Sequence, residues 1–204
     1  MKARTFQLLT LFGVLQAASA QTSPIDLRPN DVVAFLGGEN LLRVQRAGFL
    51  ETFLSKSHAD ANLRFRDLTW EGDTVEVQTT IHERWREERY GDWPQQLSHI
   101  GATVVWAQFG KMESLAGPGQ LDSFEEHYET LIKQWQASVD RITLLTPIAF
   151  EPTAGSHQPN LTDANQTLAR YVKVIRKLAA RHKLGFINLF EPTRRAIRQG
   201  KRWT

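Results

Sequence analysis

Cysteine is absent from the 204-residue chain, which removes disulfide scaffolds, thiolate metal sites and cysteine nucleophiles together and leaves the compartment to be read from other features. An excess of one charge sign is lacking too. Lys and Arg number 25 against 22 Asp and Glu, a formal +3 without any block of like charges, so no nucleic-acid partner is expected. No apolar run reaches the length needed to cross a bilayer, and no membrane span is expected. Repeats and low-complexity linkers are missing as well. What remains, 41% hydrophobic and 23% charged, suits one globular domain behind a leader.

The leader is legible. Lys2 and Arg4 form a short basic start, Phe6 to Ala17 a mostly apolar core, and Ala18-Ser19-Ala20 a small-residue cleavage pattern, so a signal peptide over 1–20, cut after Ala20, is expected. The protein is then secreted or periplasmic. The polar, turn-rich Gln21-Thr22-Ser23-Pro24 opens a linker over 21–30, and 31–204 form the domain. Two Asn-x-Thr sequons start at Asn160 and Asn165.

Within the domain, short apolar runs alternate with stretches at helical spacing, the pattern of a parallel sheet covered on both faces. Val32 to Leu36 reads as a buried first strand ended by Gly37-Gly38, followed by an amphipathic helix over Asn40 to Ser55. Asn62 to Leu68, Thr103 to Phe109, Ile142 to Leu145 and Phe186 to Leu189 read as four further strands, with helices over Leu121 to Val139 and Thr162 to His182. The fold class is α/β: a three-layer α/β/α domain with a five-stranded parallel sheet. The charged segment Thr74 to Pro94, holding Trp85 and Trp93, is expected as an excursion between the second and third strands, with Arg84, Arg86 and Arg89 on a solvated face.

In open parallel sheets, ligands bind beyond the carboxyl ends of the strands. That rule selects Gly37-Gly38-Glu39-Asn40, Trp70-Glu71-Gly72-Asp73, Gly110-Lys111-Met112-Glu113 and Thr146-Pro147 leading to Glu151. Glu39 and Glu113, from adjacent strands and with Asp73 nearby, would form a carboxylate pair able to act as acid and base or to hold a cation. His157 is a candidate base at the same edge, whereas His58, His82, His99, His127 and His182 fall in polar surface contexts. Trp106 is expected to pack, and Trp70, beside Gly72, is the better platform for a ligand ring.

The blocks Gly37 to Asn40, Phe65 to Thr74, Gln108 to Ser114 and Tyr171 to Phe190 resemble, in order and spacing, those of the SGNH, or GDSL-type, hydrolases. The resemblance covers about Asp31 to Pro192 and implies a flavodoxin-like sheet and ester hydrolysis without a cofactor, commonly on acylated carbohydrates or lipids. In that family a first-loop serine attacks the ester, a histidine from an Asp-x-x-His block is its base, and the serine amide, a second-loop glycine and a third-loop asparagine form the oxyanion hole.

Carried over by position, the aspartate and serine fall on Gly38 and Glu39, the two loop glycines on Gly72 and Gly110, and the asparagine on Met112. The Asp-x-x-His block would begin about where the chain ends, at Thr204, so base and orienting acid are expected to be lacking from the chain as given. The resemblance therefore implies a catalytically impaired or inactive member whose cleft is lined by Glu39, Asn40, Gly72, Gly110 and Glu113. Its ligand would be an acylated carbohydrate or other ester. The alternatives are a hydrolase using the Glu39 and Glu113 carboxylates, and a non-catalytic carbohydrate- or partner-binding module.

Overall fold

The computed structural model describes residues 25–79, 84–151 and 161–201. The expected leader, His82, His157 and the first sequon asparagine, Asn160, lie outside the described residues. The chain runs β1 (Val32–Gly37), α1 (Glu39–Ala47), α2 (Phe49–Ser57), β2 (Arg64–Asp67), α3 (Val75–Thr79), α4 (Arg84–Tyr90), α5 (Trp93–His99), β3 (Val104–Gln108), α6 (Leu121–Gln136), β4 (Arg141–Leu145), α7 (Leu161–Arg181), β5 (Gly185–Ile187) and α8 (Phe190–Arg198). All five strands are parallel, in the order β2-β1-β3-β4-β5. The expected five-stranded three-layer α/β architecture is therefore what the chain forms.

Side chains alternate across the two faces of the central strands, as the two-residue period of a strand requires. Val33, Phe35, Val104 and Trp106 point to one face, where Leu41 of α1 and Leu54 of α2 cover them. Ala34, Leu36, Val105 and Ala107 point to the other, against α3, α5, α6, α7 and α8. Because both faces are buried, β1 and β3 read as continuous apolar runs. Edge strand β2 differs. Arg64, Arg66 and Asp67 are exposed, while Phe65 stacks on Phe35 with ring centroids 5.9 Å apart, so charge blunts the open edge of the sheet. On the α1/α2 face the cover stops short of β4 and β5. Leu145, Ile187 and Leu189 there line an apolar groove of about 330 Å³ with Ile25, Val44 and Phe53.

One expectation needs correction. The helix over Asn40 to Ser55 is two helices, because Gly48 takes a left-handed φ of 67° and its N–H caps the Gln45 carbonyl at 2.9 Å. The segment between β2 and β3 is an excursion as expected, and its described residues form three helices. Trp93, placed within it by sequence, is buried against Trp135 at the head of α5, whose start is a reciprocal Asp92/Gln95 capping box. Helix α8 follows the fifth strand. It begins where Thr146 Oγ1, at the end of β4, accepts the Leu189 and Phe190 amides at 2.8 and 2.9 Å.

The amino edge of the sheet is tied by one buried carboxylate. Asp31, 3% exposed, accepts Nη1 and Nη2 of Arg141 at 2.7 and 2.5 Å, Oγ1 of Thr103 at 2.8 Å and the Arg28 amide at 2.6 Å. These bonds fix the starts of β1, β3 and β4 and hold the Asp31 carboxyl below its usual range despite the opposing effect of burial. Among the described residues no helix is long and apolar enough to cross a membrane.

Candidate active site

The strand order reverses between β1 and β3, and the loops that follow these two strands meet the loop after β2 there. Their approach is close. A Cβ built on Gly37, whose φ is +135°, would lie 2.1 Å from the Gln108 carbonyl oxygen, so only glycine lets β1 end beside β3 in this way. A Cβ on Gly38 would lie 3.0 Å from the Asp73 carbonyl oxygen, which presses the second loop against the first. The Trp70 amide donates to the Gly37 carbonyl at 2.9 Å and anchors the near end of the second loop.

Of the residues selected from sequence, Glu39, Asn40, Asp73, Gly110, Met112 and Glu113 line one cavity here. Gly72 adjoins it through Asp73, at a turn with φ of +71°. Trp70 is 40% exposed and faces a different cavity, and Trp106 is buried in the core as expected. His99 also faces that other cavity. His58 and His127 are half-buried on helical turns, and His182 is not simply solvated: its Nε2 lies 2.9 Å from Glu129 Oε1 in a half-buried position. On α4, Arg89 is exposed.

The groups in the cavity are already engaged. Glu39, where the resemblance calls for serine, opens α1 and pairs with Arg43 one turn on, a helical arrangement that suits an acid at an N-terminus. Glu113 is half-buried, and its two oxygens accept the Val75 amide at 3.0 Å and the Gly110 amide at 2.8 Å. Burial pushes its carboxyl up to about 7 against these hydrogen bonds, a value suited to a general acid. Yet both oxygens are turned to backbone donors, and the third-loop glycine amide is consumed in the process. Asp73 accepts Gln78 Nε2 at 2.7 and 2.8 Å and the Thr74 amide at 3.0 Å. Met112, 39% exposed, stands where the resemblance places an asparagine, and its side chain carries no N–H donor. The space left between these groups is about 10 Å³, room for roughly one water molecule.

Two polar residues not singled out from sequence also line this cavity. Lys111 carries its amine 4.9 Å above the Phe150 ring, and burial, reinforced by the Arg43 charge, pushes it down to about 8 although Glu39 and Glu151 oppose the shift. Gln108 donates from Nε2 to the Thr146 carbonyl at 3.0 Å and bridges the ends of β3 and β4. Only the glutamine left a signal, as the one amide in an apolar strand. Asn40 Oδ1 is buried at this edge with no hydrogen-bond partner. Among the described residues no group of three or more His, Asp and Glu side chains could hold a metal ion.

No protein-family profile matches the sequence, and no curated protein matches it. Solved structures do. A gut microbial diltiazem-metabolizing enzyme is 19% identical with a TM-score of 0.55, over 83% of this chain and 39% of that one, so the chain spans well under half of that protein. An acetyl-xylooligosaccharide esterase from Geobacillus is 15% identical with a TM-score of 0.60, over 85% of this chain and 83% of the other. A protein described as a GDSL-like lipase from Parabacteroides merdae is 14% identical with a TM-score of 0.59, over 86% and 84%. With the β2-β1-β3-β4-β5 sheet and its convergent loops, these likenesses establish that the chain has the fold of the SGNH, or GDSL-type, hydrolases.

Proposed function

We propose that this protein is exported, loses its leader after Ala20, and uses an ester-hydrolase fold to bind rather than to cleave. The observation that carries the reading is the cavity at the head of α1. It holds Glu39 paired with Arg43 in place of a nucleophilic hydroxyl, and it has space for about one water molecule. An ionised Glu39 would repel the oxyanion that ester cleavage must build, and Met112 cannot donate to it. Loss of one oxyanion donor alone typically costs about a hundred- to a thousand-fold in turnover, and loss of the nucleophile leaves only residual polarisation.

The acetyl-xylooligosaccharide esterase among the structural neighbours supports, by analogy of fold, an acylated carbohydrate or other ester as the ligand class. The Glu39 and Glu113 pair does not favour an acid/base mechanism, because Glu113 spends both oxygens on backbone amides. Export is tested by the N-terminal residue of secreted protein, expected at Gln21. Catalysis is tested with p-nitrophenyl acetate. The expected result is release of nitrophenol at the rate of buffer. Turnover that Glu39→Ala abolishes would overturn the binding-only reading.

A further inference from the structure

Lys111 sits in the loop after β3, and nothing in the binding-only reading uses it. Its side chain is half-buried along the small cavity, and its amine stands 4.9 Å above the centre of the Phe150 ring. Among the described residues that amine has no hydrogen bond and no ion pair. An ammonium carries three N–H donors and is costly to hold away from acceptors, so the position penalises the charged form. Burial, with the Arg43 charge added to it, accordingly pushes the amine down to about 8. A desolvated amine beside another cation is an activated nucleophile.

The surrounding charges select the electrophile. Attack on an ester or other acyl group must build an oxyanion, and here Glu39 and Glu151 set two negative charges against the one positive charge of Arg43. The Gly110 amide is already spent on Glu113, and Met112 has no N–H to offer. Attack on an aldehyde ends instead in a cation. The Lys111 lone pair forms an N–C bond as the C=O π pair moves to oxygen, and one N–H proton passes through water to that oxygen. The neutral carbinolamine then takes one proton from solvent and loses water, which leaves an iminium with a C=N bond and changes no oxidation level. This cation suits the position better than the ammonium does. It keeps one N–H donor in place of three, it faces the same aromatic ring, and the two carboxylates outweigh the guanidinium around it. Room for about one water molecule in the cavity restricts the reacting carbon to an unbranched approach, which an aldehyde meets and a ketone does not.

We propose that Lys111 is a covalent binding site for small aldehydes, which it holds reversibly as an iminium over the Phe150 ring. The proposal goes beyond the binding-only reading and does not depend on it, because a chain that did cleave esters would carry the same amine. Ester turnover reports on Glu39, and aldehyde capture reports on Lys111.

The test is reductive trapping of the purified protein with acetaldehyde and sodium cyanoborohydride, which reduces the iminium to an N-ethyl amine, followed by peptide mapping of the ethylated lysines. At about pH 7.5 the neutral fraction of an amine at about 8 is on the order of a hundredfold that of an ordinary lysine. Lys111 is therefore expected to be ethylated at least about tenfold faster than Lys56 and Lys173, which are exposed. The preference should vanish in urea, where the burial is lost. Lys111→Arg should remove the fast site and leave the slow ones, and the wild-type map carries the test even if that variant fails to fold. The proposal is overturned if Lys111 is labelled no faster than Lys56 and Lys173, or if its preference survives in urea. It is equally overturned if p-nitrophenyl acetate acetylates Lys111 with the same preference, since the amine would then take acyl groups as readily as aldehydes.

Discussion

Placing at positions 38 and 39, one at a time, the aspartate and serine that the family resemblance assigns there separates chemistry from packing. Glu39→Ser removes an exposed ion pair with Arg43, of a kind that contributes little to stability, and places a small hydroxyl at a helix start where serine is well tolerated. The melting temperature should hardly change. Gly38→Asp is different. Gly38 has an ordinary φ of −99°, so the backbone accepts a side chain, but its Cβ would sit 3.0 Å from the Asp73 carbonyl oxygen in a buried position. Overpacking of this sort costs about 1–3 kcal/mol, and in a domain of this size each kcal/mol lowers the melting temperature by about 2–4 °C. Thermal unfolding followed by circular dichroism should therefore show Gly38→Asp melting several degrees lower while Glu39→Ser stays in place. A Gly38→Asp protein as stable as the wild type would refute the claim that the second loop presses on the first.

Three further perturbations follow from the same contacts. Gly37→Ala combines a φ of +135° with a Cβ 2.1 Å from the Gln108 carbonyl oxygen, and should cost more than about 3 kcal/mol in urea unfolding or abolish soluble expression. Glu113 has its folded carboxyl at about 7, above the usual 4.5, so the folded state holds a proton that the unfolded state releases between those values. Stability contributed by this group is full below about pH 4.5 and falls by up to about 3 kcal/mol as pH rises through 7. Glu113→Gln should flatten that part of the stability profile, and an unchanged slope would show that Glu113 is not the titrating group. Asp31→Asn leaves Arg141 without its buried partner and should cost about 3–5 kcal/mol by denaturant titration, far more than the loss of the exposed Arg28 and Asp26 pair.

The central strands were readable because burial on both faces writes a continuous apolar run, as in Val32 to Leu36 and Thr103 to Phe109, and because glycine ends each one. Strand β5 was readable as an element but covers only Gly185–Ile187. The α1/α2 break was hidden because Gly48 sits inside an unbroken amphipathic period, where sequence does not distinguish a tolerated glycine from a left-handed cap. At the site, the loops themselves were legible from position alone. The occupation of their polar groups was not. Glu113 meets Val75 across 38 residues of chain, and only the fold decides that both carboxylate oxygens face amides. Lys111 lay in a loop chosen from sequence, but its lowered amine depends on burial beside Phe150 and Arg43, which no local spacing records. Trp70 was picked out as the better aromatic platform. The cavity that it lines could not be foreseen, because Tyr90 and Arg89 come from a charged segment without clear periodicity.

The most direct measurement is the intact mass of the purified protein after incubation with a fluorophosphonate ester, which phosphonylates an activated serine. If Glu39 has replaced the nucleophile, the mass stays that of the unlabelled chain. A gain of one phosphonyl group, mapped to Ser114, Lys111 or another residue of these three loops, would contradict the account and identify a nucleophile that the carboxylate at position 39 does not replace.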